Sequence, residues 1–348
     1  MFRTSDVVYD VAIVGAGIIG ANVAAYASKA GLNCLVLDQS VLGTGASRPS
    51  LGLFFPYGRS SEVRDYAYQS QHFYSRVSSE YKWRLDAIGI CDANSFHDVR
   101  ARFCIPIADE GCLEQSMVRE SVGLEIVGLD EKACFRIADC HRALPYKIAE
   151  QLLFASGVQI WEGARVDGLR EHAVGTEITL ADGRSIVAGA VILATGPWLP
   201  ESLDLMTEKV HGLRIKKVVA FHVDIEPSER ASLVYFFDED AFLMPDHQQK
   251  KWLFSITSDV WGVKPDSSTL VISSEDRIAA YAILDRYAPS MMSQMNSGRV
   301  FCDAYSADRI PLVRSVADRV IACGAANGSG YRLAPGIAAH AMSLAIGR

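Results

Sequence analysis

Residues 9 to 38 read YDVAIVGAGIIGANVAAYASKAGLNCLVLD, and few folds accommodate that order. The run VAIV is short, apolar and rich in β-branched residues, which predicts a strand buried on both faces. Gly15, Gly17 and Gly20 follow at GxGxxG spacing. Residues 18 to 30 have helical composition and stop at Gly31, and CLVL then makes a second buried strand ending at Asp38. Each residue has a physical task. Gly15 permits the tight turn, Gly17 lets a pyrophosphate approach the backbone at the helix N-terminus, and Gly20 lets the helix lie close on the strand. Asp38 follows Gly20 by 18 residues, where a carboxylate accepts hydrogen bonds from an adenosine ribose. The spacing predicts a strand–helix–strand dinucleotide site with an unphosphorylated ribose. It does not choose between a nicotinamide and a flavin dinucleotide.

The rest of the chain bounds the partners. With 348 residues and 49% hydrophobic content, two domains can share an extensive core. A net charge of -7 and the lack of any basic run argue against nucleic acid. The pairs Lys216–Lys217 and Lys250–Lys251 read as solvated edge or loop charges. The eight cysteines form no CxxC pair and no zinc-spaced cluster with histidine, so no metal site is expected. Several lie in apolar runs such as NCLVL and VIACGAA, as small buried hydrophobes in a reducing compartment. No stretch has the pattern of a signal peptide or the ~20 apolar residues of a membrane span. A soluble, cytoplasmic protein is the expectation.

Three further stretches discriminate between the dinucleotides. GTGASRPSLGLFFPYG, at 43 to 58, supplies backbone N–H groups, the Ser47 hydroxyl and the Arg48 cation for a second face of a pyrophosphate. Its apolar tail argues for burial. RSIVAGAVILATGPW, at 184 to 198, predicts a buried strand that opens at Gly196, Pro197 and Trp198 onto a ligand-facing switch point. GAANGSGYRLAPG, at 324 to 336, is a second glycine-rich turn running into an apolar, alanine-rich helix.

In this order the segments resemble those of the FAD-dependent D-amino-acid oxidase, glycine oxidase and sarcosine oxidase superfamily, over nearly the whole chain. The resemblance implies an α/β fold. A Rossmann-like FAD-binding domain of the glutathione-reductase type would span 1–74, 141–210 and 301–348. A mixed-sheet α+β substrate domain would span 75–140 and 211–300. It also implies site residues. Gly15, Gly17, Ile18 and Ile19 would hold the pyrophosphate, and Asp38 with Gln39 the ribose. Ala46, Ser47 and Arg48 would contact phosphate and ribityl groups, and Gly52 and Leu53 would lie along the isoalloxazine. Val166 would meet the adenine, with Ala194, Thr195, Gly196 and Trp198 on the adenosine side. Gly328, Ser329, Gly330, Tyr331, Arg332 and Leu333 would wrap the pyrimidine end. No His or Cys stands at a recognised linkage position, so the FAD is expected to be non-covalent.

The implied activity is oxidation of a CH–NH bond in an amine or amino acid by hydride transfer to flavin N5. The imine then hydrolyses, and oxygen or another acceptor reoxidises the flavin. Amino-acid-oxidising members place an arginine on the strand before a motif like RPxTxDGxP, where it grips the substrate carboxylate. The matching stretch here, FCDAYSADRIPLVR, puts Asp303 at that position and Arg309 at the usual glycine. Asp303 either meets an amine-rich substrate or pairs and caps locally. Arg332 either serves the flavin or substitutes as carboxylate anchor. Tyr57, Asp303, Arg309 and Arg332 are therefore the catalytic-site candidates, with Arg59 and Tyr305 beside them. His222 is expected on a sheet surface, and Trp261 either on a pocket wall or in the core. Competing readings are a flavin-dependent dehydrogenase of a hydroxy acid or alcohol, a catalytically decayed flavoprotein subunit, and a nicotinamide enzyme.

Overall fold

The computed structural model describes residues 8–105, 107, 112–204, 212–266, 268 and 270–347. Its first sheet orders eight strands around the predicted turn. Along the main path lie β17 (Leu312–Ala317), β18 (Val320–Gly324), β11 (Ser185–Leu193), β1 (Val8–Val14), β2 (Cys34–Leu37) and β8 (Gln159–Trp161). A side branch pairs β10 (Gly175–Leu180) with β11, and β9 (Val166–His172) with β10. The inner pairs β11–β1, β1–β2, β2–β8 and β11–β18 are parallel, with Val14 opposite both Leu193 and Leu37. Strands buried on both faces read as continuous apolar runs, as VAIV and CLVL do.

Helices α1 (Ile18–Lys29), α2 (Ser61–Arg76), α5 (Pro145–Ser156) and α8 (Gly330–Ile346) pack together on one face of this sheet. The α1–sheet approach is close because residue 20 is glycine: a Cβ there would lie 1.9 Å from the Gly15 carbonyl oxygen.

The second sheet has seven strands: β16 (Met295–Tyr305), β12 (Arg214–Val223), β15 (Lys251–Trp261), β14 (Ala241–Asp246), β13 (Leu233–Phe236), β5 (Ala87–Asp92) and β6 (Lys132–Ile137). Only β13–β5 is parallel. Period-2 alternation sends Val219, Phe221 and Val223 to one face, against α4 (Gln115–Val122) and α7 (Ser274–Tyr287). Ala220 joins the aromatic cluster on the other. Among the described residues there are also the short helices α3 (Phe96–Arg100) and α6 (Leu199–Asp204). A three-stranded sheet of β3 (Leu53–Phe54), β7 (His141–Ala143) and β4 (Lys82–Arg84) joins the two halves. It is tied to β14 by a buried two-pronged pair, Arg142 Nη1 to Asp246 Oδ1 and Nη2 to Oδ2, each 2.7 Å.

Two expectations meet a different arrangement. The second sheet claims β16 as far as Tyr305, so the boundary expected at 300/301 falls inside a strand. Lys216 and Lys217 are not solvated: they are 3% and 5% exposed. The reason is position, since β12 is flanked by β16 on one edge and β15 on the other. Lys217 reaches Asp276 on α7 at 2.6 Å. Lys250, in contrast, stands in solvent opposite Glu226 at 3.1 Å.

Candidate active site

A cavity of about 700 Å³ runs from the C-terminal ends of β1 and β2 to the start of α8. The strand–turn–helix builds its floor. Gly15 has φ +106°, and a Cβ there would lie 2.4 Å from the Ala194 carbonyl oxygen. Gly17 is extended and caps α1 without a side chain, so the first helical N–H groups face the cavity. The Ser47 hydroxyl accepts the Ile18 N–H at 3.0 Å, which brings the loop of residues 43–58 against that helix end. Asp38 accepts N–H groups from Ala16 at 2.7 Å and Ser40 at 2.8 Å. Burial raises its carboxyl, more strongly than those two bonds lower it.

The far end is set by the second glycine turn. Pro335 lies inside α8 and cannot donate to the Tyr331 carbonyl. The Tyr74 hydroxyl on α2 donates to that carbonyl instead, at 2.8 Å. The Tyr331 hydroxyl meets His141 Nε2 at 2.9 Å, and His141 stacks on Phe54 with ring centres 4.6 Å apart. Burial pulls His141 down to about 3, so its ring is neutral at ordinary pH. The helix start is thus held from three directions, with Gly330 and Tyr331 on the cavity wall.

Asp303 also lines the cavity, and its carboxylate accepts the Gly328 N–H at 3.1 Å and the Ala304 N–H at 2.8 Å. Among the described residues no arginine or lysine pairs with it. It caps that turn from β16. Burial pushes the carboxyl from 3.8 up to about 6. A carboxyl raised on folding costs stability once ionised. The protein without cofactor should therefore lose stability as pH rises through the interval from 3.8 to about 6. Asp303→Asn keeps an acceptor for Gly328 but cannot ionise. Urea unfolding at pH 4 and pH 7 should show the variant gaining on the native protein only at the higher pH. An equal difference at both values would sink this account.

On the side of the second sheet lies a cluster of aromatics and charges. The Arg332 guanidinium sits over Phe55 at 4.9 Å and Tyr57 at 5.8 Å, and donates to the Ser329 hydroxyl at 2.6 Å. Among the described residues it has no carboxylate partner within ion-pair distance. Loss of water lowers its pKa. Next to it, Asp240 receives Arg59 at 2.8 Å, the Tyr235 hydroxyl at 2.7 Å and the Thr257 hydroxyl at 3.1 Å. Burial raises the Asp240 carboxyl, but Arg59 and these hydroxyls outweigh it and hold the group below its usual range. Arg309 adopts φ +62°, the conformation a glycine would take without strain, and its guanidinium lies 5.2 Å from the Tyr305 ring.

The sequence candidates distribute as follows. Gly15, Gly17, Ile18, Ile19, Asp38, Gln39, Ala46, Ser47, Val166, Ala194, Thr195, Gly196, Trp198, Gly328, Gly330, Tyr331 and Asp303 share the cavity wall. Arg48 turns away, over the Tyr146 ring at 4.9 Å. Gly52 and Leu53 stand off the wall, where Leu53 pairs with Arg142 and a Cβ on Gly52 would meet the Ala143 carbonyl at 2.1 Å. Ser329 caps α8 and serves Arg332, and Leu333 is 1% exposed in the helix core. Arg332 and Tyr57 belong to the aromatic cluster, where Tyr57 packs on Phe55 and Phe103. His222 is half-buried and bonded to Ser297 at 3.0 Å. Sequence reasoning missed Tyr235, Asp240 and Lys216. Alternation along KKVVAFHV does place Lys216 with Val218, a cavity residue, but nothing local marks Asp240.

A glycine cradle at a parallel strand end, facing a second sheet across a long cavity, defines a dinucleotide-dependent enzyme. The chain belongs to the FAD-dependent oxidoreductase (DAO) family, whose model matches residues 10–344. It is an FAD-dependent oxidoreductase. The fold is similar to glycine oxidase from Geobacillus kaustophilus, with a TM-score of 0.81 at 17% identity over 97% of this chain and 94% of that one. L-proline dehydrogenase from P. horikoshii gives 0.81 at 16%, over 98% and 94%. L-alpha-glycerophosphate oxidase from Mycoplasma pneumoniae, solved with FAD bound, gives 0.79 at 16%, over 97% and 94%. No curated protein matches the chain by sequence. Among the described residues no helix is long and apolar enough to cross a membrane, and no group of three or more His, Cys, Asp or Glu is placed to hold a metal ion.

The wall fits FAD. A Cβ built on Gly196 or Gly330 meets no protein atom within 4 Å, so the backbone there is open to a ligand. Donors gather at the α1 end and a carboxylate waits at the end of β2, which matches a diphosphate and a ribose.

Proposed function

We propose that this enzyme oxidises the CH–NH bond of an amino acid or related amine that carries a carboxylate, with Arg332 as the carboxylate anchor. One observation carries the reading. Arg332 is a guanidinium walled by Phe55 and Tyr57, bonded to a single hydroxyl, with no carboxylate partner among the described residues. A desolvated cation of this kind is completed by an anion that arrives with the ligand.

In this reading the N-terminus of α1, Gly15, Gly17 and Ser47 hold the diphosphate of FAD, Asp38 the ribose, and Gly328 to Tyr331 the flavin end. Bound FAD supplies the hydride acceptor. The chain's own residues do the positioning. Arg332 fixes the carboxylate, and the rings of Phe55, Tyr57 and Tyr235 exclude water beside it. Asp240, held ionised by Arg59 and the Tyr235 hydroxyl, fixes those two side chains beside the carboxylate site. Asp303 acts on the turn that borders the flavin rather than on the carboxylate.

The test is anaerobic bleaching of the purified flavoprotein by a panel of amines, amino acids of both hands and hydroxy acids. Amino acids should bleach it, and decarboxylated amines of the same chain should do so at least about 100-fold less efficiently. Bleaching by hydroxy acids alone would replace this reading with alcohol oxidation, which the glycerophosphate oxidase fold also supports.

A further inference from the structure

We propose that the active site carries a second anion subsite, formed by Lys216 and Arg309 around Trp261 and Tyr305, and that the amine substrate bears a second acidic group. This deepens the reading above and depends on it only for the first carboxylate, at Arg332.

The neighbouring lysines of β12 make the contrast. Both are buried, yet only Lys217 has a carboxylate, Asp276 at 2.6 Å. Lys216 is 3% exposed and has no hydrogen bond or ion pair among the described residues. Its ammonium rests on the rings of Trp261 at 4.7 Å and Tyr305 at 5.6 Å. Arg309 lies over the same two rings, at 5.4 Å and 5.2 Å, and Arg214 is 4.6 Å from Trp261. Three cations therefore converge on one indole. A ring face is a weak counter-charge, and the like charges repel one another. Asp259 and Asp240 act on Lys216 from a distance, but neither is within ion-pair range, and Asp240 is already held by Arg59, Tyr235 and Thr257. Burial and the nearby Arg309 lower the Lys216 pKa, which an incoming anion would reverse.

Position ties this cluster to the chemistry. Lys216 shares its face of β12 with Val218, which lines the cofactor cavity, and is in register with Asp303, which does too. The Tyr305 hydroxyl lies against the flavin-side turn, 2.7 Å from where a Cβ on Gly328 would stand. Arg59 and Asp240, beside Arg332, influence both Lys216 and Tyr305. One site therefore presents two separate uncompensated cationic points. The ligand that completes both is an aminodicarboxylic acid, or an amino acid with a phosphonate or sulfonate in place of the second carboxylate.

The holoenzyme is titrated with glutarate and with butyrate, followed by the change in the flavin spectrum, and separately reduced without oxygen by amino acids with and without a second acid group. Glutarate should bind about 10- to 100-fold more tightly than butyrate, and amino acids with a second acid should show a similar advantage. Lys216→Gln should shrink that ratio to within about threefold. Arg309→Gln, at an exposed position, makes the same test if the buried substitution does not fold. Equal binding of glutarate and butyrate by the native enzyme, or a ratio untouched in both variants, overturns the subsite. If no amine bleaches the flavin but glutarate keeps its advantage, the amine reading falls and the subsite stands. If amino acids bleach it with no advantage from a second acid, and glutarate has none, the reverse holds.

Discussion

Arg332→Met should leave the protein yellow while lowering kcat/KM for its carboxylate-bearing substrate about 100- to 1000-fold. The magnitude follows from truncating one partner of a desolvated charge pair, which costs roughly 3–4 kcal/mol. Methionine keeps the stem that packs on Phe55 and Tyr57, so what disappears is the fork. Arg332→Lys should recover part of the loss, because an ammonium restores the charge but not two parallel hydrogen bonds. The measurement is steady-state kinetics with a matched amine lacking the carboxylate, which should be nearly indifferent to the substitution. A variant that loses its flavin, or loses less than about threefold in kcat/KM, would place Arg332 in the flavin's support instead.

The second large effect is on the cofactor. Gly15→Ala should yield protein that retains little FAD after purification. Two costs coincide at this position. Its φ of +106° is one that side-chain-bearing residues rarely adopt, and the new Cβ would stand 2.4 Å from the Ala194 carbonyl oxygen. Strain and overlap together cost roughly 3 kcal/mol or more, enough to weaken FAD binding about 100-fold. Gly31→Ala is the control. Gly31 has φ +74° but nothing within 4 Å of a Cβ, so it carries strain without collision and should keep its flavin. Absorbance of released flavin per mole of protein decides the matter. Full retention by Gly15→Ala would mean the cradle tolerates a shift of β1 against β11.

Much of the cofactor end was legible in the sequence, and the reason is local. A buried apolar strand, a turn that only glycine can make and a helix that must approach closely all act between near neighbours in the chain. The loop around Ser47 was also readable, since a glycine- and serine-rich turn beside an apolar tail has few uses. Legibility failed where a side chain had a choice. Arg48 had the right position for phosphate but lies on Tyr146. Gly52 is glycine because the Ala143 carbonyl presses on it, a constraint from 91 residues away in the chain.

The substrate end shows the limit more sharply. Asp303 kept two readings in the sequence, and its contact with the Gly328 N–H is a product of strand β16 meeting the last turn. Lys216 and Lys217 are adjacent and chemically identical, and only the sheet separates them. One face finds Asp276 on α7, the other finds Trp261 and Tyr305. By itself the sequence determined the strand, turn and helix that wall the cavity, because backbone turns and close approaches are written in neighbouring residues. The tertiary structure alone decided which charges were left without a partner, because compensation is settled between segments far apart in the chain.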